Sequence, residues 1–213
     1  QADVHFNTRT THADMLDCVE AAVKKVIEMG YADPKRIGLN GHSFSGQGAA
    51  YIATRSKMFA AIAVGAGVSD LISDFNHLWG WDYHNQHGSG QNGHQYYYYS
   101  QGRFGTNPFD DFELFNEQSA ALNARSVEAP ILILHGTADG TVAVIEGIEF
   151  YNALRFNGKS VILLAYPGED HSIQNLTNRK DLTVRMQQFF DHYLMGKPAS
   201  DWMTSGVPFL KKK

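Results

Sequence analysis

Ile37-Gly38-Leu39-Asn40-Gly41-His42-Ser43-Phe44-Ser45-Gly46 is the stretch on which the reading of this chain turns. A short strand that reads as buried, Ile37 to Leu39, leads into a serine with small neighbours, and a small-residue helix follows from about Phe44 to Arg55. A nucleophile on such a strand-to-helix turn needs small residues around it, because the folded-back chain must clear both elements. The usual spacing is Gly-x-Ser-x-Gly; here the fifth position is Ser45 and the glycine comes one place later. The backbone N–H of Phe44, at the positive end of the helix, is the candidate oxyanion donor. The blander reading of Ser43 is a helix cap.

Working outward, residues 11–29 read as an amphipathic helix with Met15, Val19, Ala22, Val23 and Val26 on one face, capped by Thr10 or Thr11 and closed by Gly30. A turn around Pro34 separates it from the nucleophile strand. Downstream, Phe59 to Val64 and Ile131 to Leu134 read as buried strands, and Val161 to Ala165 as a further strand. Helical patterns cover about 112–123, 143–157 and 179–195, the last with Leu182, Met186, Phe189, Phe190 and Tyr193 as its apolar stripe. Strands alternating with helices predict an α/β fold with a mainly parallel sheet and helices on both faces. Residues 72–108 are rich in Gly, Asn, Gln, His, Tyr and Trp and read as a long irregular surface excursion.

Composition narrows the function classes. The 213 residues carry 18 Lys and Arg against 22 Asp and Glu, a net charge of −4, which speaks against a nucleic-acid or anionic-membrane binder. An apolar content of 43% supports a packed core. Cys18 is the single cysteine, so no internal disulfide forms, and no apolar run approaches a membrane span.

A serine nucleophile needs a base, and the base needs an acid that holds its tautomer. In α/β-hydrolases the chain order is serine, then acid, then histidine. Asp139 follows the strand at 131–134, in His135-Gly136-Thr137-Ala138-Asp139, and His171 follows the next strand, in Gly168-Glu169-Asp170-His171. Both sit at C-terminal strand ends, where catalytic groups gather in open α/β sheets. Asp70, Asp74, Asp110, Asp111, Glu169 and Asp170 are rival acids, with Asp139 better placed one strand before the histidine. His135 reads as a structural hydrogen-bonding residue, and His42 as lining the pocket. Tyr96-Tyr97-Tyr98-Tyr99, with Trp79 and Trp81, reads either as a substrate platform or as packing against a neighbouring domain. His77, His84, His87 and His94 have no regular metal-ligand spacing, so no metal is expected.

At these residues the chain resembles the catalytic domain of the prolyl oligopeptidase family of serine peptidases, bacterial type. Gly30-Tyr31-Ala32-Asp33-Pro34-Lys35-Arg36-Ile37, the segment around Ser43, Val68-Ser69-Asp70-Leu71, Ile133-Leu134-His135-Gly136 to Asp139, Gly168-Glu169-Asp170-His171 and the tail from Asn178 to Leu194 carry the likeness. It implies an α/β-hydrolase fold across residues 1–213, hydrolysis of short peptides without a cofactor, and a location in the periplasm or outside the cell. It maps the nucleophile onto Ser43, the acid onto Asp139 and the base onto His171. Members usually carry a β-propeller ahead of this domain, and their second oxyanion donor is an upstream tyrosine to which no position here corresponds.

Ser43 comes early for such a sheet. Residues 1–29 offer one helix and, at most, Val4 to Phe6 as a strand. The expectation is therefore a domain that lacks its early strands, with impaired activity and a free edge at Ile37–Leu39 that pairs with a second copy of the chain. The expected partner is a peptide or small ester substrate, with His42, Tyr96, Tyr97 and Tyr98 as candidate contacts. A carboxylesterase of the same fold and a non-catalytic binding module are the alternative functions.

Overall fold

Four strands form one parallel sheet in chain order: β1 (Gly38–His42), β2 (Ala61–Gly65), β3 (Ile131–Gly136) and β4 (Val161–Tyr166). The computed structural model describes residues 3–79 and 93–206. Gly41 pairs with Val64, Gly65 with Leu134 and Leu134 with Leu164, which brings the C-terminal ends of all four strands to one rim. β2 and β3 are buried along their whole length, as their unbroken apolar runs require. β1 and β4 are the edges and are only partly covered.

Sheet periodicity sorts the side chains. Ile62, Val64, Ile131 and Ile133 point to one face, Ala61, Ala63, Leu132 and Leu134 to the other. The first face is covered by helices α2 (Phe44–Arg55) and α6 (Val144–Phe156), with α1 (Thr11–Glu28) packed outside through Leu16, Val19 and Val23. Crossovers of one hand between successive neighbouring strands place their helices on one side. Helix α7 (Leu176–Met195) follows β4 onto the opposite face, where Phe189, Leu182, Met186 and Phe190 cover the small Ala61 and Ala63. The short α8 (Asp201–Thr204) adds Trp202 and Met203 to that layer. The expected fold class holds, with helices on both faces.

Two details of the helices differ from expectation. Thr10 stands at the N-cap of α1 but makes no capping bond; its hydroxyl donates to Asp14 Oδ2 instead. Val26 stays 40% exposed, so the buried stripe of α1 ends at Val23. Residues 3–10 form no strand.

The segment after β2 is more ordered than its composition predicts. It contains α3 (Leu71–Phe75) and α4 (Gly93–Tyr99), and α5 (Phe112–Gln118) follows before a single 3-10 turn at Ala124–Ser126. Val68, Leu71, Tyr96, Tyr97, Phe104, Leu114, Phe115 and Val142 form a second buried cluster there. Tyr97 is fully buried, with its ring 5.0 Å from that of Phe115 and its hydroxyl donating to Asp74 Oδ2 at 3.0 Å. The Tyr96 hydroxyl donates to Gln47 Oε1 at 2.8 Å. Tyr96 and Tyr97 therefore serve this chain's own interior, because each buried phenol finds an internal acceptor, while Tyr99 is exposed. Trp81, His84 and His87 lie outside the described residues.

Candidate active site

The turn at Ser43 is set by backbone crowding. Ser43 has φ 59° and ψ −127°, a conformation costly for any residue with a Cβ. Its N–H donates to Gly65 O and its carbonyl accepts from Gln47 N, both at 2.9 Å, so strand β2 and the first turn of α2 hold it from two sides. A Cβ on Gly41 would collide with the carbonyl of Ser45, and one on Gly46 with the carbonyl of Gly65. The glycine that the crossing needs is thus Gly46, while Ser45 is exposed, which explains the departure from the usual spacing. Phe44 opens α2, where first-turn N–H groups have no intrahelical acceptor.

His171 lies between serine and acid. Its Nε2 is 2.8 Å from Ser43 Oγ, and its Nδ1 is 2.9 Å from Asp139 Oδ2 and 3.1 Å from Oδ1. The Asp139 side chain is fully buried and that of His171 is 21% exposed. Burial alone would raise the pKa of Asp139. The His135 ring edge beside it, and hydrogen bonds from His171 and the backbone N–H groups of Val142 and Thr141, outweigh it and hold the carboxyl well below the usual range. A permanently ionised acid facing Nδ1 favours the tautomer with the proton on Nδ1, leaving Nε2 to accept from the serine.

The two loops that carry acid and base are tied together. Asp170 Oδ1 accepts from Gly140 N at 2.9 Å and from His171 N at 2.7 Å. Gly136 lies so close to the carbonyls of Glu169 and Asp170 that a Cβ would clash with both. Glu169 accepts from Gln174 N and Asn178 Nδ2, anchoring the start of α7.

The rival acids have other occupations. Asp70 caps α3 through Ile72 N and Ser73 N, and Asp111 caps α5 through Leu114 N. Asp74 is buried against Tyr97, and Asp110 accepts from Asn107 Nδ2. His42 remains beside the site, its ring centroid 5.0 Å from that of His171, and lines an open cleft of about 300 Å³ with Gly41, Gly136, His171, Ile173 and Met186. The assignment of Tyr97 as a substrate contact is corrected: its side chain is interior and offers no surface to a ligand. Tyr96 is interior as well, with its hydroxyl turned to Gln47, and Tyr98 is half-buried and accepts from Asn107 Nδ2. Among the described residues no cluster of His, Cys, Asp and Glu has the arrangement of a metal site.

Sequence reasoning missed one arrangement behind Ser43. Buried His12 bonds Gln118 through Nδ1 and Gln47 through Nε2, so α1, α2 and α5 share one polar chain that ends on Tyr96. No local pattern marks these residues, because their partners are 35 and 106 positions away.

A parallel sheet with this elbow and this order of serine, acid and histidine defines an α/β-hydrolase. The chain belongs to the prolyl oligopeptidase family, whose profile matches residues 4–197. It is 26% identical over 184 residues to the uncharacterized peptidase YuxL of Bacillus subtilis (strain 168), covering 85% of this chain and 25% of that protein. It is also 26% identical over 184 residues to the acylamino-acid-releasing enzyme of Arabidopsis thaliana, covering 84% of this chain and 22% of that enzyme. The chain thus spans about a quarter of the length of these relatives. Among solved structures, a puromycin-hydrolyzing peptidase of Mycobacterium tuberculosis superposes with a TM-score of 0.77 at 22% identity, over 90% of this chain and 27% of that one. The acylaminoacyl peptidase of Pyrococcus horikoshii superposes with a TM-score of 0.76 at 19% identity, over 95% of this chain and 31% of that one. Both structures share the fold.

Proposed function

We propose that this chain carries the catalytic triad of a serine peptidase acting on short or N-acylated peptides. The observation that carries the reading is the unbroken hydrogen-bonded chain from Asp139 through His171 to Ser43 Oγ, with Ser43 held at positive φ. Ser43 Oγ attacks the scissile carbonyl carbon while His171 Nε2 takes its proton. The Phe44 N–H steadies the oxyanion of the tetrahedral intermediate. His171 then gives the proton to the departing amine, the C–N bond breaks and an acyl group remains on Ser43. Water, deprotonated by His171, releases the acid product and restores the serine. Asp139 orients the imidazole and stabilises its charged form throughout.

Support for peptides as the substrate class comes from family membership and from the relatives, whose names describe peptide and acylamino-acid release. Parallel turnover of an N-acylated aminoacyl anilide and of an aryl ester tests it. The peptidase reading predicts cleavage of the anilide that is lost in Ser43→Ala. Cleavage of the ester alone would make the protein an esterase.

A further inference from the structure

Asp139 has a second imidazole against it. His135, the penultimate residue of β3, is fully buried, and its Nε2 lies 2.9 Å from the carbonyl of Val142 and 3.4 Å from Asp139 Oδ2. Its Nδ1 has no hydrogen-bond partner. That edge of the ring abuts Gly147 of α6, where a Cβ would stand 2.7 Å from Nδ1. These surroundings admit one form of the side chain. A proton on Nδ1 would be buried without an acceptor, and a bare Nε2 would set its lone pair against a carbonyl and a carboxylate oxygen. His135 is therefore the neutral tautomer that donates from Nε2.

That donor closes the loop on which the acid stands. The carbonyl it holds belongs to Val142, whose own N–H donates to Asp139 Oδ1 at 2.8 Å beside that of Thr141 at 2.9 Å. Asp139 is thus gripped by the 139–142 turn on one oxygen and faced by His135 and His171 on the other. We propose that His135 is a positioning residue for the reaction of Ser43, fixing the 139–142 turn and with it the Asp139 carboxylate that sets the His171 tautomer. This inference rests on the triad reading above.

The test is the rate of phosphonylation of Ser43 by a fluorophosphonate, in wild type, His135→Phe, His135→Gln and Gly147→Ala, with cooperative melting as the check on folding. Phe keeps the ring and loses the donor; Gln restores an N–H near the position of Nε2. The expected result is a rate lowered about 10- to 100-fold in His135→Phe, as for a displaced catalytic group. His135→Gln should recover most of the rate, and Gly147→Ala, which displaces the ring, should be slowed. A His135→Phe protein with the wild-type rate would overturn the inference, as would a folded His135→Gln no faster than His135→Phe. If His135→Phe does not fold, the other two variants decide: slow Gln with normal Ala contradicts it. A wild type that is not phosphonylated at Ser43 removes the triad reading itself, and this inference with it.

Discussion

A methyl group on Gly67 would lie 2.5 Å from the carbonyl carbon of Gly46. The chain leaving β2 and the first turn of α2 therefore touch backbone to backbone directly behind Ser43. Gly67→Ala and Gly46→Ala should each destabilise the fold by about 1–3 kcal/mol through overpacking, read as a lower midpoint in denaturant. Ser45→Gly should leave both the fold and the reactivity of Ser43 nearly unchanged, because Ser45 faces solvent.

Strain at the nucleophile has a measurable counterpart. Ser43 sits at φ 59°, where glycine meets no Cβ clash. Ser43→Gly should raise stability by roughly 1 kcal/mol or more while abolishing covalent labelling, whereas Ser43→Ala, which keeps a Cβ, should abolish labelling without that gain. Thermal melting of the two variants side by side separates them.

Asp139→Asn keeps the shape of the site and reverses its hydrogen-bonding sense. An amide that donates to Nδ1 favours the tautomer with the proton on Nε2, which cannot accept from Ser43 Oγ–H. Turnover should fall by about 10⁴, while thermal unfolding stays cooperative. A loss smaller than tenfold would argue that Asp139 does not orient His171.

Buried His12 and the buried acids Asp74 and Glu146 should oppose each other as pH changes. Burial pushes the His12 imidazole down from 6.5 to about 4, against the hydrogen bond with Gln118. The unfolded chain takes up that proton first, so this contribution is lost as pH falls from 6.5 to about 4, about 3 kcal/mol in all. Burial, reinforced by the charge of Asp70, pushes Asp74 up to about 7 against hydrogen bonds from Tyr97 and Trp79. Glu146 is raised in the same sense by burial and by Asp74. For these acids the unfolded chain releases protons first, so stability is lost as pH rises from about 4 towards 7. Relative to wild type, His12→Gln should gain more stability between pH 7 and pH 4 and Asp74→Asn less, in denaturant titrations at fixed pH values.

The strands and the elbow were legible because local chemistry determines them. Ile131 to Leu134 can only be buried, and a serine between Gly41 and Gly46 at the end of a strand marks its own turn. Asp139 and His171 are legible from the order of serine, acid and histidine, from their strand ends and from the glycine-bearing loops that carry them. The tyrosine helix was not legible, because its burial depends on Gln47 and Asp74, which sequence pattern does not connect to it. The start of α7 was read three residues late, since the signal was the side chain of Asn175 accepting from Thr177 N and Asn178 N. Burial of His12 has the same origin: its ring is enclosed by Phe44, Tyr51 and Phe104 from distant parts of the chain.

Mass spectrometry after reaction with a fluorophosphonate tests the central claim most directly. The account predicts a single adduct on the peptide containing Ser43, formed in wild type and lost in His171→Ala although Ser43 is intact. An unmodified Ser43 in the folded wild-type protein, or an adduct formed as fast in His171→Ala, would contradict it.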